Sequence, residues 1–457
     1  MSKRTATQKA PLKKITALVL ATGVACAVAL VPASGASAAT ATADTAANIP
    51  PSISAHCGWP EPQTLCPPAT VVLDGNRLLL NRLGLLVGDP TLHKSLNNLL
   101  AITQPELTAG PWSVTDKTML PPSGDKHDYL SLAPYWWPTQ PMTPANPWGC
   151  PYIQKDGQRD PIVDSIPDHA ERGSAFSAIY DLSLAWYYTR DPRYAQRAEL
   201  DVRTWFLDTA TKMNPNLNYS QGIPCQVDGR GIGIIEFSEA LTDVVDATAI
   251  LDDGAPGWTR TDHSGMTDWY SAFLTWLRTS SNGSDEASQQ NNHGTFYDML
   301  CAALALSAGQ RDTARAIVQQ AETKRINVQI SASGSEPLEI SRTRSWHYST
   351  FNLVALTRLA QVGRHVGVDL WDYKSPAGSG LASAVDFLLP AAVGGKSAWP
   401  YPELSFQQDA ALDIVHEAAD AGDRQARAAL PNIPAPSFGD LYPIAPAAEQ
   451  LDDISGS

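Results

Sequence analysis

The 457-residue chain carries 33 Lys and Arg against 47 Asp and Glu, a formal net charge of −14, and 43% of its residues are hydrophobic. That apolar content belongs to a folded protein with one large core or several ordinary ones, and rules out a disordered chain. The acidic balance speaks against nucleic acid as a partner, so an anionic ligand has to be met by a local basic site.

Residues 1–38 read as a secretory signal peptide. "MSKRTATQKAPLKK" holds five basic residues and no acid, "ITALVLATGVACAVALV" is an apolar run, and Ala36 and Ala38 form an A-x-A cleavage pattern. The run is long enough to span a bilayer, but the cleavage pattern favours removal. Cys26 lies inside the run, and Gly23 stands where a lipoprotein signal wants Leu. The mature protein is then expected to be secreted and extracellular, with no membrane partner. Its net charge moves from −14 to −19, because five positive charges and no negative ones leave with the peptide.

Residues 39–68, rich in Ala, Thr and Pro, read as a linker or N-terminal extension. Export permits disulfides. Cys57 and Cys66 close a short Pro-rich loop, "CGWPEPQTLC", and are expected to pair; Cys150 and Cys225, both in loop-like contexts, are a second expected pair. Cys301 lies in an apolar helix and is expected to be a buried thiol. No C-x-x-C occurs, so a thiolate zinc site is not expected.

From about residue 69 to 430 the pattern is helical. Phe176, Ile179, Tyr180 and Tyr187 share one helix face, Asp191-Pro192 breaks it, and Tyr194, Ala198, Val202, Trp205 and Phe206 form the next. Residues 232–252 with 264–279, 294–308 with 310–325, and 345–362 with 378–390 repeat this hairpin, and 407–430 ends the series. "RINVQISAS" (325–333) gives the best of few strand signals. The fold class expected is all-α: an (α/α) toroid, an incomplete barrel of about six to seven helical hairpins. A solenoid would show a tighter repeat. Residues 431–457, Pro-rich and then acidic, form a C-terminal tail.

Five stretches carry candidate chemistry. "SGDKHDYLSLAPYWWP" (123–138) places Tyr135, Trp136 and Trp137 between prolines as a rigid aromatic loop, suited either to stacking on sugar faces or to pinning itself on the core; Lys126 adds positive charge. "DHAERG" (168–173), with His169, and "NPNLNYSQG…DGRGIG" (214–233), with Tyr219, Gln221 and Arg230, are polar stretches ahead of helices and supply further cleft candidates. In "QQNNHGTFYDMLCAALAL" a helix face (Phe296, Leu300, Ala303, Leu304) begins near Gly294, with Asn292 as its N-cap and Asn291 and His293 beside it. A helix start offers free N–H groups and partial positive charge. It binds anions and disfavours the cationic imidazole, leaving His293 able to act as a base. The plainer reading is a capped helix with neighbouring polar groups. In "EISRTRSWHYSTFNL" (339–353), Arg342 and Arg344 precede a helix whose first turn holds His347 and Tyr348. Two arginines there lower the pKa of a nearby phenol and let it exchange a proton; the plainer reading is a basic loop beside a partly buried Tyr.

No G-x-S-x-G, H-E-x-x-H, P-loop or G-x-G-x-x-G after a strand occurs. At "SGDKHDYLSLAPYWWP", "MNPNLNYSQGIP", "NNHG" and "RTRSWHYSTFNL" the sequence resembles the alginate lyase family of polysaccharide lyases, in the bacterial branch acting on mannuronate- and glucuronate-containing polymers. The resemblance runs from about residue 120 to 405. It implies an (α/α) toroid and cofactor-free, metal-independent β-elimination of 1,4-linked uronates, with an acidic polysaccharide as substrate; a monomer is expected. The family's Asn-His pair falls on Asn292 and His293, its Arg on Arg342, chosen over Arg344 by the six-residue offset to Tyr348, and its Tyr on Tyr348. By that resemblance Asn292 and Arg342 hold and neutralise the C5 carboxylate, His293 or Tyr348 removes the C5 proton, and Tyr348 protonates the leaving O4. The readings weighed against it are a toroid glycoside hydrolase, which needs two carboxylates across a cleft, and a non-catalytic binder of acidic polysaccharide.

Overall fold

The computed structural model describes residues 66–449 apart from Glu239. The expected signal peptide and Cys57 lie outside those residues; Cys66 is disulfide-bonded.

Helices come in two kinds, and burial tells them apart. The first two are α1 (Gly75–Leu86) and α2 (Pro90–Glu106), each capped by an Asp, Asp74 and Asp89, that accepts from two backbone N–H groups. Four later helices are buried on nearly every side: α3 (Asp168–Thr189), α6 (Ala240–Leu251), α9 (Asn292–Ser307) and α13 (Ser345–Val366). A helix apolar all round belongs inside a structure. These four neighbour one another in sequence order, α3 on α6, α6 on α9 and α9 on α13.

One-sided helices cover them. Between α3 and α6 runs α4 (Pro192–Val202), which packs back on α3; the short α5 (Ile235–Ser238) leads into α6. Then α7 (Arg260–Thr279) and α10 (Arg311–Ala321) both lie against α9, with α8 (Ser281–Ser288) joining α7 to α9. Two single-turn pieces, α11 (Asn327–Gln329) and α12 (Pro337–Ile340), precede α13. Beyond it, α14 (Leu381–Gly394) and α15 (Leu412–Asp420) pack on α13, and α16 (Arg424–Ala429) packs on both α14 and α15. This two-layered succession of helical hairpins is an (α/α) toroid, as the sequence pattern implies. Tyr194, Ala198, Val202, Trp205 and Phe206 are all buried, on the face assigned to them.

The expected strand at 325–333 is not formed. Helix α10 runs on through a π-turn, Glu322–Ile326, into α11. The winding buries Arg325 against Asp298, 2.8 Å away, and buries Gln329. Long-range pairing of a buried cation overrides a short β-like pattern. The expected helical stretch 407–430 is two helices, separated by a turn at Gly422 with φ of 99°.

Among the described residues, strand structure is confined to the loops. β1 (Leu130–Leu132) pairs in parallel with β4 (Tyr219–Gly222), Leu130 opposite Tyr219 and Leu132 opposite Gly222. β2 (Trp136–Pro138) pairs antiparallel with β3 (Tyr152–Gln154). The aromatic loop of the sequence reading is therefore a hairpin strand. Lys117, fully buried, ties this region to α3: its Nζ lies 2.8 Å from Asp168, whose Oδ2 also accepts from the Leu130 N–H. Cys150 and Cys225 form the expected disulfide, and Cys301 is the expected buried thiol. Tail residues Tyr442, Ile444, Ala445 and Ala448 are buried, and the Ala448 carbonyl accepts from buried Arg358 on α13.

The buried carboxyls give stability a direction with pH. Burial pushes Glu417 on α15 up to about 8, with Arg364 opposing. The folded chain therefore keeps a proton that the unfolded chain releases near pH 4. Stability from this group is complete below the unfolded pKa and is lost as pH rises to about 8. The melting temperature is expected to fall between about pH 5 and 8. Glu417→Gln should raise it by a few degrees at the upper end and change it little at the lower; calorimetry across that range checks both.

Candidate active site

The first turn of α9 is fixed from outside its own helix. Asn292 is 1% exposed. Its backbone N–H donates to Glu339 Oε1 and its Nδ2 to Glu339 Oε2, both at 2.7 Å. Asn292 is thus the first helical residue rather than the N-cap. Asn291 takes the cap position without a side-chain capping bond, because Glu339 on α12 accepts from the helix start instead. The preceding turn is held by Arg325, which donates to the Ala287 and Gln289 carbonyls, and by Gln329, which donates to the Asn291 carbonyl. A Cβ at Gly294 would collide with the Gln289 carbonyl oxygen and the Arg325 guanidinium, so "NNHG" ends in the one residue that fits. Burial pushes the Glu339 carboxyl up, and its bonds from Asn292 draw it back.

His293 has a partner that a helix-start argument leaves out. Its Nδ1 lies 2.9 Å from Oε1 of Glu286 on α8; the Glu286 side chain is 0% exposed and the imidazole 19%. Burial pushes Glu286 up and the His293 ring opposes this. The carboxylate favours the cationic imidazole, against the helix start.

Arg342 and Tyr348 meet as their spacing suggests. The guanidinium lies 3.8 Å from the centroid of the Tyr348 ring. Asp156 clamps it from across the chain, with Arg342 Nη2 donating to Oδ1 at 2.6 Å. Burial works against the Arg342 charge, yet Asp156 and Tyr348 hold its pKa above the ordinary value. The Tyr348 hydroxyl donates to the Tyr135 hydroxyl at 3.0 Å, which draws the 123–138 stretch to the same place. Glu339 joins the two halves: it binds Asn292 and feels the charges of both Arg342 and His293.

A third group lies close by. Gln221 has φ of 47°, a left-handed backbone unusual for Gln. It is held there by Ser131, which accepts from its N–H, and by Arg230, which donates to both its carbonyl and its Oε1. Burial lowers Arg230 to about 10 against the fields of Glu236, Asp285 and Glu286. His169 Nδ1 stands 3.8 Å from Glu236 Oε2, an electrostatic contact beyond hydrogen-bond length. Tyr129 and Ser131 donate to that same oxygen.

The remaining candidates make contacts of their own. His347 is buried, stacked on Phe351 and edge-on to Tyr348. The stem of Arg344 lies against Gly157. Lys126 is exposed and donates to the Thr115 carbonyl. Trp136 packs beside Ala133, Tyr152 and Ile223. Trp137 donates to the Gln158 carbonyl and carries Lys155 over its ring, while Tyr219 packs on the Leu130–Leu132 cluster. Among the described residues, no group of three or more His, Cys, Asp or Glu is arranged to hold a metal ion.

Four acids escape the sequence reading: Glu286, Glu339, Asp156 and Glu236. Glu339 and Glu286 precede Arg342 and His293 by three and seven residues, so proximity to a motif was their only signal. Asp156 reaches Arg342 over 186 residues and leaves no local trace.

The family model for alginate lyase matches residues 113–399. An alginate lyase from Bacteroides ovatus superposes with a TM-score of 0.76 at 33% identity, covering 82% of this chain and 99% of its own. Alginate lyase A1-III from Sphingomonas species A1 superposes at 0.52 and 15% identity, covering 84% and 97%. A variant of A1-III complexed with a tetrasaccharide gives 0.56 and 16%, covering 84% and 98%. The two A1-III likenesses bear on the fold alone. No protein with a curated description matches. With the family model spanning more than half of the chain and a relative one-third identical over nearly all of its length, this chain belongs to the alginate lyase family, and it is a polysaccharide lyase.

Proposed function

We propose that the substrate is a 1,4-linked polyuronate, a mannuronate- or glucuronate-containing polymer, cleaved by β-elimination outside the cell. The observation that carries this reading is the sharing of Glu339 between Asn292 and the field of Arg342: an amide donor and a cation gathered beside a histidine and a phenol. That set suits a carboxylate with an acidic proton next to it.

Asn292 keeps a second Nδ2 proton beyond the one given to Glu339, and with Arg342 it would neutralise the C5 carboxylate. The C5–H bond then breaks, its proton passing to a base, His293 or Tyr348. The C–H electrons form the C4=C5 double bond, the C4–O4 bond breaks, and O4 leaves with a proton from Tyr348. No water is added. The Arg342 charge over the phenol ring stabilises the phenolate that results. Arg230, His169 and Gln221 are proposed to meet the neighbouring sugar, and Trp136 and Trp137 to flank the chain. The basic, apolar and A-x-A succession in residues 1–38 supports export.

Incubation with polymannuronate, polyguluronate or glucuronan should generate the ultraviolet absorbance of a conjugated unsaturated uronate on at least one of them. Tyr348→Phe should cut that rate by about 10²-fold or more with polymer binding retained. Reducing ends without the absorbance, or no product from any of the three, would sink the reading. Asp156→Ala unclamps Arg342 and is expected to lower kcat/KM by about tenfold, the worth of one charge-assisted hydrogen bond; an unchanged value would remove Arg342 from the carboxylate site.

A further inference from the structure

We propose that Glu286 is a positioning residue for the elimination: it holds His293 in the tautomer whose lone pair is on Nε2, and so makes the imidazole, rather than Tyr348, the base that takes the C5 proton. The inference rests on the polyuronate reading and adds to it a residue and a choice of base.

The geometry is specific. Glu286 has no exposed side-chain surface, and Oε1 lies 2.9 Å from His293 Nδ1. Its other oxygen, Oε2, is buried without a hydrogen-bond partner. A buried carboxylate oxygen left in that state is costly to the fold. A group serving only to pack the fold gains nothing from it, whereas a carboxylate reserved for one ring does. The turn between the two residues cannot relax, because Arg325 binds both the Ala287 and Gln289 carbonyls.

The surrounding charges come from several elements. Asp285 stands beside Glu286 on α8; Arg230, ahead of α5, and Arg325, after α10, bring positive charge; Glu339 faces the ring from α12; and the α9 start adds its partial positive charge. The cations and the helix start favour an ionised Glu286 with a neutral ring. Glu286 and Glu339 favour the imidazolium formed once the proton arrives.

In the resting pair, ionised Glu286 accepts from Nδ1–H, which leaves the lone pair of the neutral ring on Nε2. The C5 proton passes to Nε2, and the resulting imidazolium is stabilised by Glu286. After O4 has left with the Tyr348 proton, the Nε2 proton returns to solvent and Tyr348 regains one from it. Nothing is oxidised, and the only net change in bonding is the elimination.

Steady-state kinetics of Glu286→Gln and Glu286→Asp on the polyuronate that the full chain degrades test the assignment. Glu286→Gln should lower kcat by about 10²-fold or more, with KM changed by less than about threefold. The rising acidic limb of the pH profile should move down by about one unit, since a neutral amide no longer supports the imidazolium. Glu286→Asp should restore part of kcat. A normal kcat and an unmoved limb would overturn the proposal and leave Tyr348 as the base. Nitrogen NMR of His293 in the unmodified protein requires neither substrate nor variant: a protonated Nδ1 in the neutral ring is expected, and a protonated Nε2 would overturn the proposal. Failure to degrade any polyuronate would instead count against the substrate reading, while the spectrum still decides the tautomer.

Discussion

Two hydrogen bonds from one residue to one buried carboxylate organise the candidate site. Asn292 gives Glu339 both its backbone and its side-chain N–H. Helix α9 needs a partner for the N–H groups at its start, and a carboxylate from α12 supplies it. Asn292 is thereby freed from self-capping and its amide is oriented. The same carboxylate stands in the field of Arg342, three residues along the chain, which is how the start of α9 and the approach to α13 come to share one site. Breaking that bond would unsettle donor, histidine and arginine together.

An acidic protein cannot rely on its overall field to take hold of the acidic polymer proposed as its substrate. The structure answers with cations that are individually caged. Arg342 is gripped by Asp156, and Arg230 by the neutral Gln221 within reach of three carboxylates. Each arginine is oriented before any ligand arrives, so little side-chain freedom is lost on binding. Holding Arg230 buried lowers its affinity for its own proton, and an incoming carboxylate would relieve part of that.

What could be read in the sequence was what is local. Helix periodicity gave the toroid, and the six-residue offset from Arg342 to Tyr348 gave the stacked pair, because both lie within reach of one helical start. "NNHG" marked the first turn of α9. The residues that make these groups act were illegible for a physical reason: Glu286, Glu339, Asp156 and Glu236 are common acids whose meaning comes only from burial and from partners distant in sequence. The strand expected at 325–333 failed the same way, since nothing local shows that Arg325 must turn inward to Asp298 and the loop before His293.

The disulfide between Cys150 and Cys225 joins the tryptophan hairpin to the segment carrying Gln221 and Arg230. The cross-link needs an oxidising compartment to form. The aromatic wall and the buried arginine are therefore secured to one another by a bond the cytosol disfavours. Full assembly of this rim therefore depends on an oxidising environment, so a chain held under reducing conditions would carry the tryptophan hairpin and the buried arginine on a looser frame.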